Sequence, residues 1–153
     1  MMFRLGVFDD ARVIEALRAH FEAAYANTAP GSAHALEIAA LQTPQVRFWS
    51  AWDQGALLAI GALKRFAPRH AEVKSMYVVE AMRRRGVGGE MLRHLIADAR
   101  TGGVHQLWLE TGSWDYFRPA IGMYLRHGFA ETGPFNDYVA DPNSMFMVLD
   151  LRD

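Results

Sequence analysis

The sequence predicts a mixed α/β (α+β) fold, with a mostly antiparallel central sheet and helices on both faces. Three observations point to it. Short runs rich in Val, Leu, Ile, Phe and Trp recur along the chain and read as strands. Between some of them, apolar residues return at helical spacing. The order of elements is a strand, two helices, an antiparallel meander, and then strand, helix, strand, helix, strand.

Phe3, Leu5 and Val7 alternate and predict a first strand. Asp10 is placed to cap a helix carrying Val13, Ile14, Leu17, Phe21 and Ala24. Residues 26–32 have loop chemistry, and a second short helix is expected over Ala33 to Leu41. Val46 to Trp52 and Ala56 to Lys64 form a hairpin around a turn at 53–55, and Ala71 to Val79 follows as a third strand. Glu90 to Ala99 places Met91, Leu92, Leu95, Ile96 and Ala99 on one helical face, with Gly102 and Gly103 as its stop. Gln106 to Thr111 is a strand, Pro119 to Arg126 a helix that begins at a proline and stops at Gly128, and Ser144 to Leu151 a closing strand.

The chain has 153 residues, 51% of them hydrophobic, so a sizeable core is available and residues 1–153 read as a single domain. A formal net charge of -1 gives no electrostatic case for nucleic acid or acidic membranes. With no cysteine, disulfides, thiolate metal sites and cysteine nucleophiles are excluded, and a cytoplasmic location is expected. No signal peptide and no apolar run of about 18 residues is found, so no membrane span is expected. The histidines show no metal-ligand spacing; Glu90 and His94 share a helical face and read as a surface pair.

The stretch Met76 to Leu92 is the most informative. A strand runs into Arg83-Arg84-Arg85-Gly86-Val87-Gly88-Gly89 and then opens a helix. Helix N-termini carry unpaired N–H groups and partial positive charge, glycines allow close approach, and arginines add charge. Such a turn suits a phosphate or pyrophosphate. It is not a nucleotide P-loop, because Glu90-Met91 stands where Lys-Ser/Thr is required, and it is not the dinucleotide fingerprint, because position 91 is Met. The structural alternative is a solvated basic turn capped by glycines.

Arg83-x-x-Gly86-x-Gly88, between a strand and a helix, resembles the pyrophosphate loop of the GNAT superfamily of acyl-CoA N-acyltransferases. Downstream, Ala120, Tyr124, Gly128 and Phe129 fall on the frame of a second motif of that family. Glu110-Thr111-Gly112 and the Tyr138 to Met147 ending resemble one bacterial branch of it. The resemblance covers roughly residues 45 to 151. It implies the acyl-CoA N-acyltransferase fold, with about six to seven strands splayed at a cofactor cleft. It further implies acetyl-CoA as cofactor, transfer of an acetyl group to a primary amine, and a homodimer as a frequent state of relatives. One position departs from the family pattern: Phe117 stands where many relatives use Asn near the pantetheine arm.

By this resemblance the backbone at Met76, Tyr77 and Val78 holds the pantetheine, as an added strand would pair. Arg83, Arg84, Arg85, Gly86, Val87, Gly88 and Gly89 surround the pyrophosphate through N–H groups, and Phe117 and Tyr124 flank the cofactor. Tyr124 is the expected acid for the departing thiolate; a phenol of pKa ~10 holds its proton at neutral pH. Alternatively it is a plain core aromatic. Glu72 is the expected base, needed because an alkylamine of pKa near ~10 is protonated at neutral pH. Strand alternation puts Glu72, Lys74, Met76 and Val78 on one face, the cofactor side; a salt bridge to Lys74 is the competing role. Glu110 is the rival base or an amine ligand, and water a third route.

Glu110, Thr111 and Tyr138 are expected to bind the acceptor, with Asp141 and Ser144 near it, although turn formation explains Asp141-Pro142-Asn143 equally well. Trp108, Trp114, Phe117 and Phe135 are candidates for an apolar lining or for ordinary packing. The favoured reaction is direct attack of a small-molecule amine in a ternary complex, with an N–H near Val78 holding the oxyanion. Alternatives are a non-catalytic acyl-CoA sensor, a protein N-terminal or lysine acetyltransferase, and a nucleotide-dependent enzyme. A hydrolase is disfavoured, since Gly112-Ser113-Trp114 lacks nucleophile-elbow spacing.

Overall fold

The computed structural model describes residues 1–24 and 37–152. Strand β1 (Met2–Leu5) leads into helix α1 (Ala11–Ala24), then β2 (Val46–Asp53), β3 (Ala56–Ala67) and β4 (His70–Val78). Helix α2 (Val87–Thr101), β5 (Gln106–Gly112), α3 (Arg118–Arg126), β6 (Ala130–Thr132) and β7 (Ser144–Asp150) complete it. The expected loop at 26–32 and the start of the second helix lie outside the described residues; residues 37–40 are helical.

All seven strands form one sheet in the order β1-β2-β3-β4-β5-β7-β6. Every pairing is antiparallel except β4 with β5. That one parallel pair is short: His70↔Gln106, Ala71↔Leu107 and Glu72↔Trp108. Beyond it β4 stays on β3 and β5 stays on β7, so the sheet opens between them.

The helices sort by face. On one side Val13, Leu17 and Phe21 of α1 pack with Phe48, Trp52, Leu57 and Ile60. On the other, Met91, Leu92 and Leu95 of α2 and Tyr124 of α3 pack with Leu63, Val73, Leu107, Leu109 and Met147. Each such side chain contributes about 1.5–3 kcal/mol by leaving water. Asp10 caps α1 as expected, its Oδ1 accepting the Arg12 N–H at 2.8 Å. Helix α2 begins three residues before the sequence reading placed it, at Val87, whose side chain is buried.

Two expectations are corrected, and one strand joins those read element by element. The first strand stops at Leu5, because Gly6 (φ 81°) and Val7 (φ 75°) turn into the left-handed region. A seventh strand, β6, is only three residues long, too short for alternation to reveal. Most important, Glu72 and Lys74 do not share a face with Met76 and Val78. The β3–β4 register shifts between Ile60 and Ala62, and Ser75 sits at φ 57°, inserting a bulge. Val73, Met76 and Val78 therefore all face α2, while Tyr77 faces α1. Glu72 and Lys74 point to the α1 side.

Candidate active site

A cavity of about 700 Å³ occupies the opening between β4 and β5. Its walls come from the free half of β4 (Val73 to Met76), the end of β5 (Glu110 to Gly112), α1, α3 and the loop before β7. The loop at Arg83–Gly89 follows the free half of β4 after one short turn.

The loop is built for an anion. A short 3₁₀ turn at Glu80–Met82 ends β4's run, Arg84 adopts φ 66° and Gly86 φ 77°, and α2 starts at Val87. The first bond into the helix is Glu90 N–H to Gly86 O at 3.1 Å. Among the described residues, no N–H from 84 to 89 meets a backbone acceptor. Left-handed residues in a turn let such N–H groups converge on an anion, and the helix dipole adds to them. A Cβ at Gly86 would meet nothing within 4 Å, so the approach to the turn is open. The arginines differ: Arg83 is tied back by Nε donating to Val78 O at 3.2 Å, whereas Arg85 leans on Met82 Sδ at 3.9 Å. A pyrophosphate group fits this cradle of unpaired donors.

The Val79 N–H donates to Leu58 O at 2.9 Å, so ladder alternation turns the Val78 backbone away from β3 and into the cleft, which Met76 also lines. These are the backbone positions expected to pair with an extended ligand. The Val78 carbonyl is already met by Arg83, which leaves its N–H.

Tyr124 is fixed by the way α3 ends. The Phe129 N–H donates to Tyr124 O and the Gly128 N–H to Leu125 O, both at 3.1 Å, with Gly128 at φ 95°. This is a Schellman closure, and its apolar clasp is the Phe129 ring against Tyr124, centroids 5.7 Å apart. The spacing Tyr-x-x-x-Gly-Phe thus encodes a helix stop that seats the tyrosine. Tyr124 is buried, lines the cavity, and its phenol is pushed up to about 12 by burial.

Glu72 is 4% exposed. Burial raises its pKa; the charges of Lys74 and Lys64 and a hydrogen bond from Tyr138 oppose that, and Glu110 adds to it. Tyr138 Oη donates to Glu72 Oε2 at 2.5 Å, and Lys74 Nζ stands 3.9 Å from the same oxygen. The expected salt bridge therefore exists beside the shorter phenol contact. Glu110 is exposed and accepts from Ser144 Oγ at 2.7 Å. Thr111 is buried at the cavity wall.

Phe117 lies over Gly112, where a Cβ would come within 2.3 Å of its ring, and its edge meets Trp114. It closes the end of β5 by packing and offers no polar contact. Trp108 and Phe135 instead join an aromatic cluster with Phe66, His70 and Phe146 under the loop before β7. Glu90 pairs with Arg93, while His94 stacks on Phe3. Among the described residues no group is arranged to hold a metal ion, and no helix is long and apolar enough to cross a membrane. Sequence reasoning missed His20. It lines the cavity, and burial, with the nearby Lys74 charge, lowers its pKa to about 4, keeping the imidazole neutral. Its place on the inward stripe of α1, three residues after Leu17, was the available signal.

The sequence model of the Acetyltransferase (GNAT) family matches residues 13–129. The chain belongs to this family. It is 40% identical over 136 residues to the uncharacterized N-acetyltransferase YsnE of Bacillus subtilis (strain 168), covering 89% of this chain and 90% of that protein. It is 42% identical over 132 residues to the uncharacterized N-acetyltransferase YedL of Escherichia coli (strain K12), covering 86% and 83%. Its fold is similar to that of a candidate acyl-CoA N-acyltransferase of Klebsiella pneumoniae, with TM-score 0.79 and 27% identity over 99% of this chain and 97% of that one. The GNAT protein described here is an acetyl-CoA-dependent N-acetyltransferase with the acyl-CoA N-acyltransferase fold.

Proposed function

We propose that this acetyltransferase acts on a small-molecule amine by direct attack in a ternary complex, with Glu72 as base and Tyr124 as proton donor. The observation that supports the reading is that Glu72 and Tyr124 both line the cavity at the open edge of β4. Bound acetyl-CoA supplies the thioester carbonyl. The N–H groups of residues 84–89 hold its pyrophosphate, and the backbone at Met76 and Val78 orients the arm that follows.

Glu72 accepts the proton of the incoming ammonium, and its raised pKa makes it a stronger base than an ordinary carboxylate. The nitrogen–carbon bond then forms as the carbon–sulfur bond breaks, and the second proton that the nitrogen sheds leaves to solvent. Tyr124 keeps its proton at working pH and presents it to the departing sulfur. Because its pKa lies above the ~8.5 of a typical thiol, it stabilises the thiolate first as a hydrogen-bond donor. Without cysteine, no acyl-thioester forms on the enzyme. The walls carry Glu72, Glu110 and Asp141 against Lys74, which favours a cationic acceptor, and a cavity of about 700 Å³ suits a small one. A cytoplasmic site of action accords with the cysteine-free chain.

Calorimetric titration with acetyl-CoA tests the cofactor site. Gly86 is at φ 77°, so Gly86→Ala introduces backbone strain alone and Gly86→Glu adds a negative charge. The expected result is micromolar binding by wild type, near-normal binding by Gly86→Ala and none by Gly86→Glu. Equal loss in both variants would move the pyrophosphate away from this loop. A panel of diamines, amino sugars and amino acids then identifies the acceptor class.

A further inference from the structure

We propose that Tyr138 is a positioning residue that holds Glu72 ionised and aimed into the cavity. The inference rests on Glu72 being the base, and it assigns the loop before β7 a part in arming that base as well as in shaping the pocket.

Glu72 occupies the last position at which β4 pairs with β5, where the sheet begins to open. Burial there disfavours its charged form. The charged and titratable groups around it come from every neighbouring element: Lys74 on β4, Lys64 on β3, Glu110 on β5, Tyr138 on the loop, and the neutral His20 of α1 across the cavity. Lys74 is 3.9 Å away and one-third exposed, so water screens it. Tyr138 is at 2.5 Å and is the directed contact. A phenol donating to a carboxylate stabilises the anion, opposing burial.

The phenol is set in place independently of Glu72. Its ring packs against Phe135 and Phe146, with centroids 5.0 and 5.5 Å away. Its N–H donates to Phe135 O at 3.0 Å, and Phe135 is itself buried against Trp108 and Phe66. The hydroxyl is thus delivered by a packed aromatic cluster, the support that a preorganised donor needs. Just beyond the loop, Ser144 grips Glu110 at 2.7 Å, so adjacent chain segments hold both cavity carboxylates, the buried one through a phenol and the exposed one through an alcohol.

The test is a carbon-13 NMR titration of the Glu72 carboxyl in the full protein, assigned by its disappearance in Glu72→Gln. Tyr138→Phe keeps the ring in its cluster and removes only the hydroxyl. The expected result is a rise of about one pH unit in the Glu72 midpoint. With an accepted amine, the acidic limb of kcat/KM moves up by the same amount, since fewer molecules hold Glu72 deprotonated at a given pH. A midpoint that stays or falls in Tyr138→Phe overturns the inference. If Glu72→Gln retains full activity, the base assignment fails, whatever the titration shows, so the two failures are separable.

Discussion

Along β4, His70, Ala71 and Glu72 pair with both neighbours, whereas Val73, Lys74, Tyr77 and Val78 pair with β3 alone and Ser75 and Met76 form a bulge. The doubly paired part is a seam: Ala71 and Leu107 are buried on the α2 face, and the backbone groups are satisfied within the sheet. The singly paired part is an edge inside the molecule, with backbone groups turned into a cavity and polar side chains around it. One strand therefore closes the sheet at one end and lines the cavity at the other, with Glu72 at the boundary. Within the singly paired part, the bulge at Ser75 increases twist and re-aims the side chains that follow.

Two carboxylates extend the contrast. Burial pushes Asp98 on α2 upward, but hydrogen bonds from Arg47 and Trp49 and the Arg47 charge outweigh it, so its pKa is lowered. At Glu72 burial wins over its partners and the pKa is raised. A carboxylate with a bidentate guanidinium is structural; one short of compensation is available for proton transfer.

The largest effect that would sharpen this division is on rate. Tyr124→Phe should lower kcat about a hundredfold or more with little change in melting temperature, because only a hydroxyl in the cavity is lost. A large fall in melting temperature would make Tyr124 part of the structural seam. Leu107→Ala, in the doubly paired part, should cost about 2–5 kcal/mol by denaturant unfolding while leaving acetyl-CoA affinity unchanged below its midpoint. Loss of affinity in the folded variant would break the comparison.

The smallest effects have opposite signs. Asp98 has a depressed folded pKa, so its stabilisation is present above the unfolded value of ~3.9 and is lost as pH falls through the folded one. Asp98→Asn should destabilise by about 1 kcal/mol at pH 7 and approach wild type in acid. Glu72 has a raised folded pKa, so the protonated form stabilises the fold at pH below the unfolded ~4.3, and that contribution is lost as pH rises through the folded value. Glu72→Gln should gain up to about 1 kcal/mol at pH 7, with the gain vanishing in acid, while activity falls. Thermal melts at pH 7 and at a pH well below the unfolded carboxylate values distinguish the two.

Much of this was readable in the residues because it depends on local chemistry. The apolar spacing in α1 and α2, the Asp10 cap, the paired glycines closing α2 and the Gly-rich start of the same helix each follow from bonds spanning a few residues. The same holds for Tyr124, whose frame with Gly128 and Phe129 is a helix stop before it is anything else.

Tertiary structure decided the rest. Alternation alone placed Glu72 with Met76 and Val78, and a bulge, which no composition rule locates, put them on opposite faces. The approach of Tyr138 to Glu72 spans 66 residues, and that of His20 to the same cavity depends on how α1 docks. Local bonds set helices and turns, so sequence by itself determines them; which carboxylate loses water, and which hydroxyl reaches it, is settled only when distant strands and loops pack together.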